Sequence, residues 1–220
     1  MSDQSQGGNI GRELSEGTHN TAQASETIPD YWIDFFSNCE TECEPEPDCW
    51  EVGSRQKLSL SVPVDEGSMT ELCRAVESTP HAFFTAAFAY LCAVFTGRED
   101  VLFRTIASKE KGKGVIPFRL NLKNLDNVVE LIQQAESGLQ QGNMHDVPKY
   151  AELADALGLN LPLLFCYGTK PADESGVVFT QGLPSNGVCH VELQFNNGKY
   201  SVDWAESFTN TCAAAIPRPT

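Results

Sequence analysis

Two residue groups in this chain have the types and spacing for acid/base chemistry. His145 and Asp146 stand side by side. An imidazole that titrates near neutral pH beside a carboxylate is suited to proton transfer at the mouth of a cavity. The competing reading makes Asp146 the N-cap of a helix that opens at Pro148. Asp203 and Glu206 form the second group. Paired carboxylates divide acid and base roles when their surroundings differ, and at a strand end they otherwise serve as surface groups. Arg104 lies in the apolar run Val101-Leu102-Phe103-Arg104-Thr105-Ile106. A guanidinium buried on a strand needs a carboxylate or an anionic ligand. It either clamps a substrate carboxylate or phosphate or joins an internal ion pair with Glu192, Asp203 or Glu206. Arg119 is a further binding candidate, with a structural role as its alternative.

Metal chemistry is not supported. Cys39, Cys43 and Cys49 are spaced C-x3-C-x5-C in an acidic loop with no histidine nearby, whereas zinc sites favour C-x-x-C or Cys/His pairs and four ligands. Cys73, Cys92, Cys166 and Cys189 fall in apolar segments, as small buried hydrophobes do. The chain has 220 residues, 41% of them apolar, and a formal net charge of -15. This is enough for one domain with a substantial core. The charge argues against nucleic acid or an anionic membrane as partner, since both reward basic patches. No apolar segment follows a basic start, and the longest nearly apolar run, 82–95, is short for a bilayer span. The expected location is the cytoplasm, with the thiols reduced.

The elements that must hold these residues follow from pattern. Residues 1–28 read as a disordered tail. An aromatic helical turn covers 31–36, and an acidic, solvated loop covers 40–51. Alternation predicts a strand over 57–62, and helical spacing covers 68–77. Thr79-Pro80 opens a helix that is apolar nearly all round and is stopped by Gly97, so it belongs in the core. Strands follow at 100–106, within the sheet, and at 115–122. An amphipathic helix starts near Leu125 and ends at Gly142, and a short helix covers 148–157. A strand over 161–167 precedes a hairpin pairing 188–195 with 199–204 around Asn197-Gly198. The sum is an α/β domain over 29–210, a mixed sheet with flanking helices, with 211–220 as a tail.

Several segments, in order, resemble the C-terminal half of condensation domains of nonribosomal peptide synthetases, within the chloramphenicol-acetyltransferase-like superfamily. Tyr31-Trp32 resembles the pair that opens that half. Thr79 to Tyr90 (TPHAFFTAAFAY) resembles its alanine-rich core helix, and Thr96-Gly97-Arg98-Glu99-Asp100-Val101 its T-G-x-x-D-[IV] entry into a strand. Ile116-Pro117-Phe118-Arg119 resembles the L-P-L-R of N-T-L-P-L-R. Met144-His145-Asp146-Val147-Pro148 resembles [HN]-Q-D-V-P. Leu161-Pro162-Leu163-Leu164-Phe165 resembles the late P-L-F strand. The resemblance covers about 31–205.

Departures from the family qualify the function that this resemblance implies. The acyl-transfer base of the family lies in H-H-x-x-x-D-G, and no such motif occurs in these 220 residues. Arg104 stands where the family has glycine, and the loop before Pro117 is short. The resemblance therefore implies a free-standing, truncated condensation-like protein of natural-product biosynthesis. Its expected role is accessory, docking to a synthetase or carrier protein. The alternative is a repurposed tailoring enzyme: a cyclase, isomerase or acyltransferase with His145, Asp146, Asp203 and Glu206 as catalytic candidates and Arg104 and Arg119 as binding candidates. Lys109, Lys111 and Lys113 can grip a phosphopantetheine or a carrier surface. No cofactor is implied. Such a half buries one face against its sister, so a homodimer or a complementary lobe is expected, with a small-molecule intermediate as a further ligand.

Overall fold

The computed structural model describes residues 30–39, 43–106, 114–123, 125, 127–144, 150–169 and 176–219. Within it, Thr79 and Gly97 act as the sequence predicts. Thr79 is extended (φ -99°, ψ 155°), and its hydroxyl accepts from the Ala82 amide, with Pro80 at the first helical position. Gly97 closes the helix in the left-handed region at φ 68°, where a Cβ is penalised. The element between them, Pro80–Thr96, is the third of six helices among the described residues: α1 Asp30–Phe35, α2 Glu66–Ala75, α3 Pro80–Thr96, α4 Val128–Met144, α5 Tyr150–Leu157 and α6 Val202–Ala214. None of these helices is by itself long and apolar enough to cross a membrane.

Among the described residues, six strands form one mixed sheet in the order β1-β6-β5-β4-β2-β3. They are β1 Arg55–Pro63, β2 Asp100–Ile106, β3 Val115–Asn121, β4 Leu163–Tyr167, β5 Val177–Gln181 and β6 Val188–Asn196. β2, β4 and β5 run parallel, and the other pairings are antiparallel. β2 is an interior strand, as expected. β3 is an edge strand, which explains how it accommodates Pro117 opposite Arg104: a residue without an N–H is tolerated where no further strand needs its donor.

The two faces of the sheet differ. On one, Phe165, Phe179 and Leu193 stand in register across β4, β5 and β6. There, Phe88 of α3 meets Phe103, Phe165, Phe179 and Phe208, with ring centroids 5.1, 5.0, 5.7 and 6.1 Å away. Burying this cluster places α3 against the sheet, where the sequence puts it. α4 reaches the same side at close range, because a Cβ on Gly138 or Gly142 would come within 3.0 Å of Phe118 or Ile116. Gly142 therefore packs the helix onto β3 and does not stop it, and α4 runs on to Met144.

On the other face one row crosses the whole sheet: Lys57, Gln194, Val178, Leu164, Arg104 and Pro117. Leu164, Cys166 and Val178 are buried here. Towards β1 the face turns polar, with Ser61 and His190 in a 2.9 Å hydrogen bond, Lys57 paired with Glu192, and Arg55 donating to Gln194.

The structure differs from the sequence expectations at four places. Residues 199–204 are not a second hairpin strand. The turn at Asn197-Gly198 leads to Ser201, whose hydroxyl accepts from the Trp204 amide and starts α6. β5 was not foreseen. The acidic loop is not simply solvated. Glu44 accepts from Lys199 (2.5 Å) and from the Tyr200 hydroxyl (2.8 Å), and Asp48 accepts from the Ser201 amide and hydroxyl at 2.6 and 2.5 Å. The packed chain also passes residue 210: Ala213 and Ile216 are buried, and the Asp65 amide donates to Pro217 O.

Candidate functional site

The six sequence candidates are not gathered at one place among the described residues. His145 and Asp146 lie outside the described residues, as do Lys109, Lys111 and Lys113. Asp203 and Glu206 are exposed on the first turns of α6, where Asp203 complements the positive end of the helix. Arg119 is committed to structure. Its Nε and Nη2 donate to both oxygens of Asp100 (2.9 and 2.7 Å), and Nη1 donates to Phe35 O (2.8 Å). The fork thus ties the end of α1 to β2 and β3.

Arg104 is 4% exposed, and its guanidinium lies over the Tyr150 ring, 5.2 Å from the centroid. Glu192 is not its partner: β6 lies three strands from β2, about 14 Å at the usual strand spacing. Nor are Asp203 or Glu206, because α6 packs on the opposite, aromatic face through Phe208.

His81, not singled out from sequence, stacks on Tyr167 at the start of α3, with centroids 5.3 Å apart and planes at 15°. Burial pushes the His81 pKa down, with the Glu136 carboxylate pulling the other way. Burial also pushes Tyr167 up to about 12. Burial alone would raise the Glu136 pKa, but hydrogen bonds from Thr79, Gln140 and Ser78 outweigh it and hold the carboxyl below its ordinary range. Its contacts are 2.7 Å to the Thr79 hydroxyl and 2.8 Å to the Thr79 amide. Cys73, Cys92, Cys166 and Cys189 are buried, and no group of three or more His, Cys, Asp or Glu among the described residues is disposed to hold a metal ion.

The feature best formed for recognition is a groove of about 840 Å³ between α3, α4 and the end of α6. α3 contributes Phe83, Ala86, Tyr90 and Val94, α4 contributes Val128 and Ile132, and Ala215 closes one end. The floor is small and apolar. Tyr90, Val94 and Val128 are 58%, 57% and 64% exposed, so a wall of the groove stands in water. Its few charged groups, Arg98 and Glu99, sit at one end of α3. No nucleophile and base converge on it, and its chemistry is the recognition of apolar surface. The sequence reading placed this helix in the core on every side and did not single out the groove.

This arrangement of sheet and helices is the fold of one lobe of the condensation-type domains of nonribosomal peptide synthetases. SgcC5 from Streptomyces globisporus is similar over 92% of this chain and 58% of its own, with 14% identity and a TM-score of 0.67. The X-domain from teicoplanin biosynthesis matches over 91% of this chain and 54% of its own, with 13% identity and a TM-score of 0.71. The epimerization domain of tyrocidine synthetase B matches 89% of this chain and 55% of its own, with 13% identity and a TM-score of 0.62. In sequence, 150 residues are 24% identical to the nonribosomal peptide synthetase nlsA of Emericella nidulans, spanning 66% of this chain and 2% of that protein. The chain thus spans little more than half of these solved neighbours and a small part of its curated relative. No family model matches.

Proposed function

We propose that this lobe is a docking element of natural-product biosynthesis: it binds a synthetase or a complementary lobe through the α3–α4–α6 groove and does not itself form peptide bonds. The observation that carries this reading is the row Tyr90, Val94 and Val128, held in solvent along an apolar groove. Apolar surface that is contiguous and exposed marks an interaction site, and an aromatic anchor set among aliphatic side chains is the common core of one. The fold supports the same direction, since a similar X-domain has been solved in complex with OxyB from teicoplanin biosynthesis. Within these 220 residues the acyl-transfer motif is missing, so the lobe alone has no general base of the family's kind.

The test mixes the purified chain with the excised synthetase domains of its own pathway and follows association by analytical ultracentrifugation. A complex is expected. Tyr90→Glu combined with Val94→Glu should abolish it, because two carboxylates would have to be desolvated, while leaving the melting temperature near that of the parent. A chain that stays monomeric and binds none of these domains refutes the proposal, as does a double variant that binds unchanged. Dipeptidyl product formed by this chain alone, detected by mass spectrometry, would overturn the non-catalytic part.

A further inference from the structure

A second surface lies on the strap that packs against the turn into α6. Trp50 is 82% exposed and Val52 is fully exposed, two residues apart on the segment that leads into β1. The backbone of this segment is hydrogen-bonded along its length to the turn at 197–199 while the two side chains stay exposed. The Cys49 amide donates to Lys199 O at 3.2 Å and the Glu51 amide to Gly198 O at 3.0 Å. The Ser54 amide donates to Asn197 Oδ1 at 2.7 Å, and the Asn197 amide returns a bond to Ser54 O at 3.1 Å. Behind the pair, Gly53 and Gly198 touch backbone to backbone, so a Cβ on either would overlap the other. Asp48 and Glu44 anchor the upstream end on Ser201, Lys199 and Tyr200.

We infer that Trp50 and Val52 are a preformed anchor for a protein partner that offers an apolar pocket edged by lysine and arginine. Three observations carry this. Trp is the residue that most often dominates an interface, and a clamped backbone means little ordering on binding. The flanking Glu46, Asp48 and Glu51 are all exposed, against Lys199 as a nearby cation that is paired with Glu44, so the segment is acidic on balance and favours a basic rim. A second copy of this chain is disfavoured as occupant, because each copy carries a net charge of -15. The inference does not rest on the groove.

The test places a benzophenone side chain at position 52, leaving Trp50 in place, and irradiates the full chain in its producing cells. A control probe replaces Leu183, which is 59% exposed on another loop. The expected result is one protein, identified by mass spectrometry, captured from position 52 and not from position 183. Trp50→Ala should cut the yield at least tenfold while leaving the melting temperature unchanged. Glu46→Gln with Glu51→Gln should cut it several-fold, and Tyr90→Glu in the groove should leave it intact. No capture at position 52, equal capture at position 183, capture of a second copy, or indifference to Trp50→Ala would each overturn the inference. A groove variant that loses its synthetase while this cross-link persists would separate the two surfaces.

Discussion

Replacing Arg104 with alanine decides between a structural arginine and a ligand clamp. The side chain is 4% exposed and its guanidinium lies over Tyr150, which joins α5 to the sheet. At least two losses follow from truncation, so their sum is a lower bound. A desolvated cation–π contact is worth about 2 kcal/mol. Removing buried methylenes from the stem costs about 0.8 kcal/mol each, roughly 2 kcal/mol together. The sum, about 4 kcal/mol, corresponds to a fall in melting temperature of about 8–16 °C for a chain of this size. Arg104→Lys keeps the charge but loses the planar overlap and should fall about half as far. A double-mutant cycle with Tyr150→Leu should return a coupling of about 1–2 kcal/mol. The assay is thermal denaturation followed by circular dichroism. If Arg104→Ala melts with the parent, the folded lobe does not depend on the guanidinium. Binding of a small carboxylate or phosphate that the variant loses would then establish the clamp.

Glu136→Ala removes the acceptor that fastens α4 to the start of α3 and should cost about 1–2 kcal/mol in chemical denaturation; the His81 pKa, followed by NMR, should fall with it because the carboxylate that favours the imidazolium is gone. For His81 itself the folded pKa lies below that of the unfolded chain. Unfolded protein therefore binds the extra proton first, and stability should decline as pH drops below about 6.5 towards the folded value. His81→Phe should flatten that part of the stability–pH curve. Asp203→Asn and Glu206→Gln, both on exposed positions of α6, should melt within about 2 °C of the parent; a larger fall would mean that they hold more of the structure than their exposure implies.

The parts of the fold that local chemistry dictates were legible in the sequence. Thr79-Pro80 and Gly97 bound α3 because a cap, a fixed φ and a left-handed exit act within a few residues. β1, β2 and β3 followed from alternation or apolar runs. The failures are places where a distant contact overrides a local signal. Asn197-Gly198 has the composition of a hairpin turn, yet the segment opposite it is the 43–54 strap, and Ser201 then caps a helix whose Trp204, Ala205, Phe208 and Cys212 are spaced for one. Gly142 resembles a stop until Ile116 is placed against it. For the site, Arg104 was correctly read as buried, but its aromatic neighbour Tyr150 is 46 positions away and invisible to local pattern. Arg119 stood in a recognised motif, and only the structure shows its fork spent on Asp100. Tyr90 and Val94 were read as core, because a sequence does not reveal which side of an all-apolar helix finds no neighbour.

Pro117 has a consequence for assembly. β2 and β3 pair in unbroken register across it, so the donor that the proline lacks is missing from the outer margin of the sheet. An incoming strand would meet a gap in the ladder there, and backbone-templated growth at that margin is blocked. Fibril-like stacking, or the splicing of a foreign strand into this sheet, is therefore favoured at β1 over β3. Contacts on the β3 side are left to side chains, which discriminate between partners where a bare backbone edge does not.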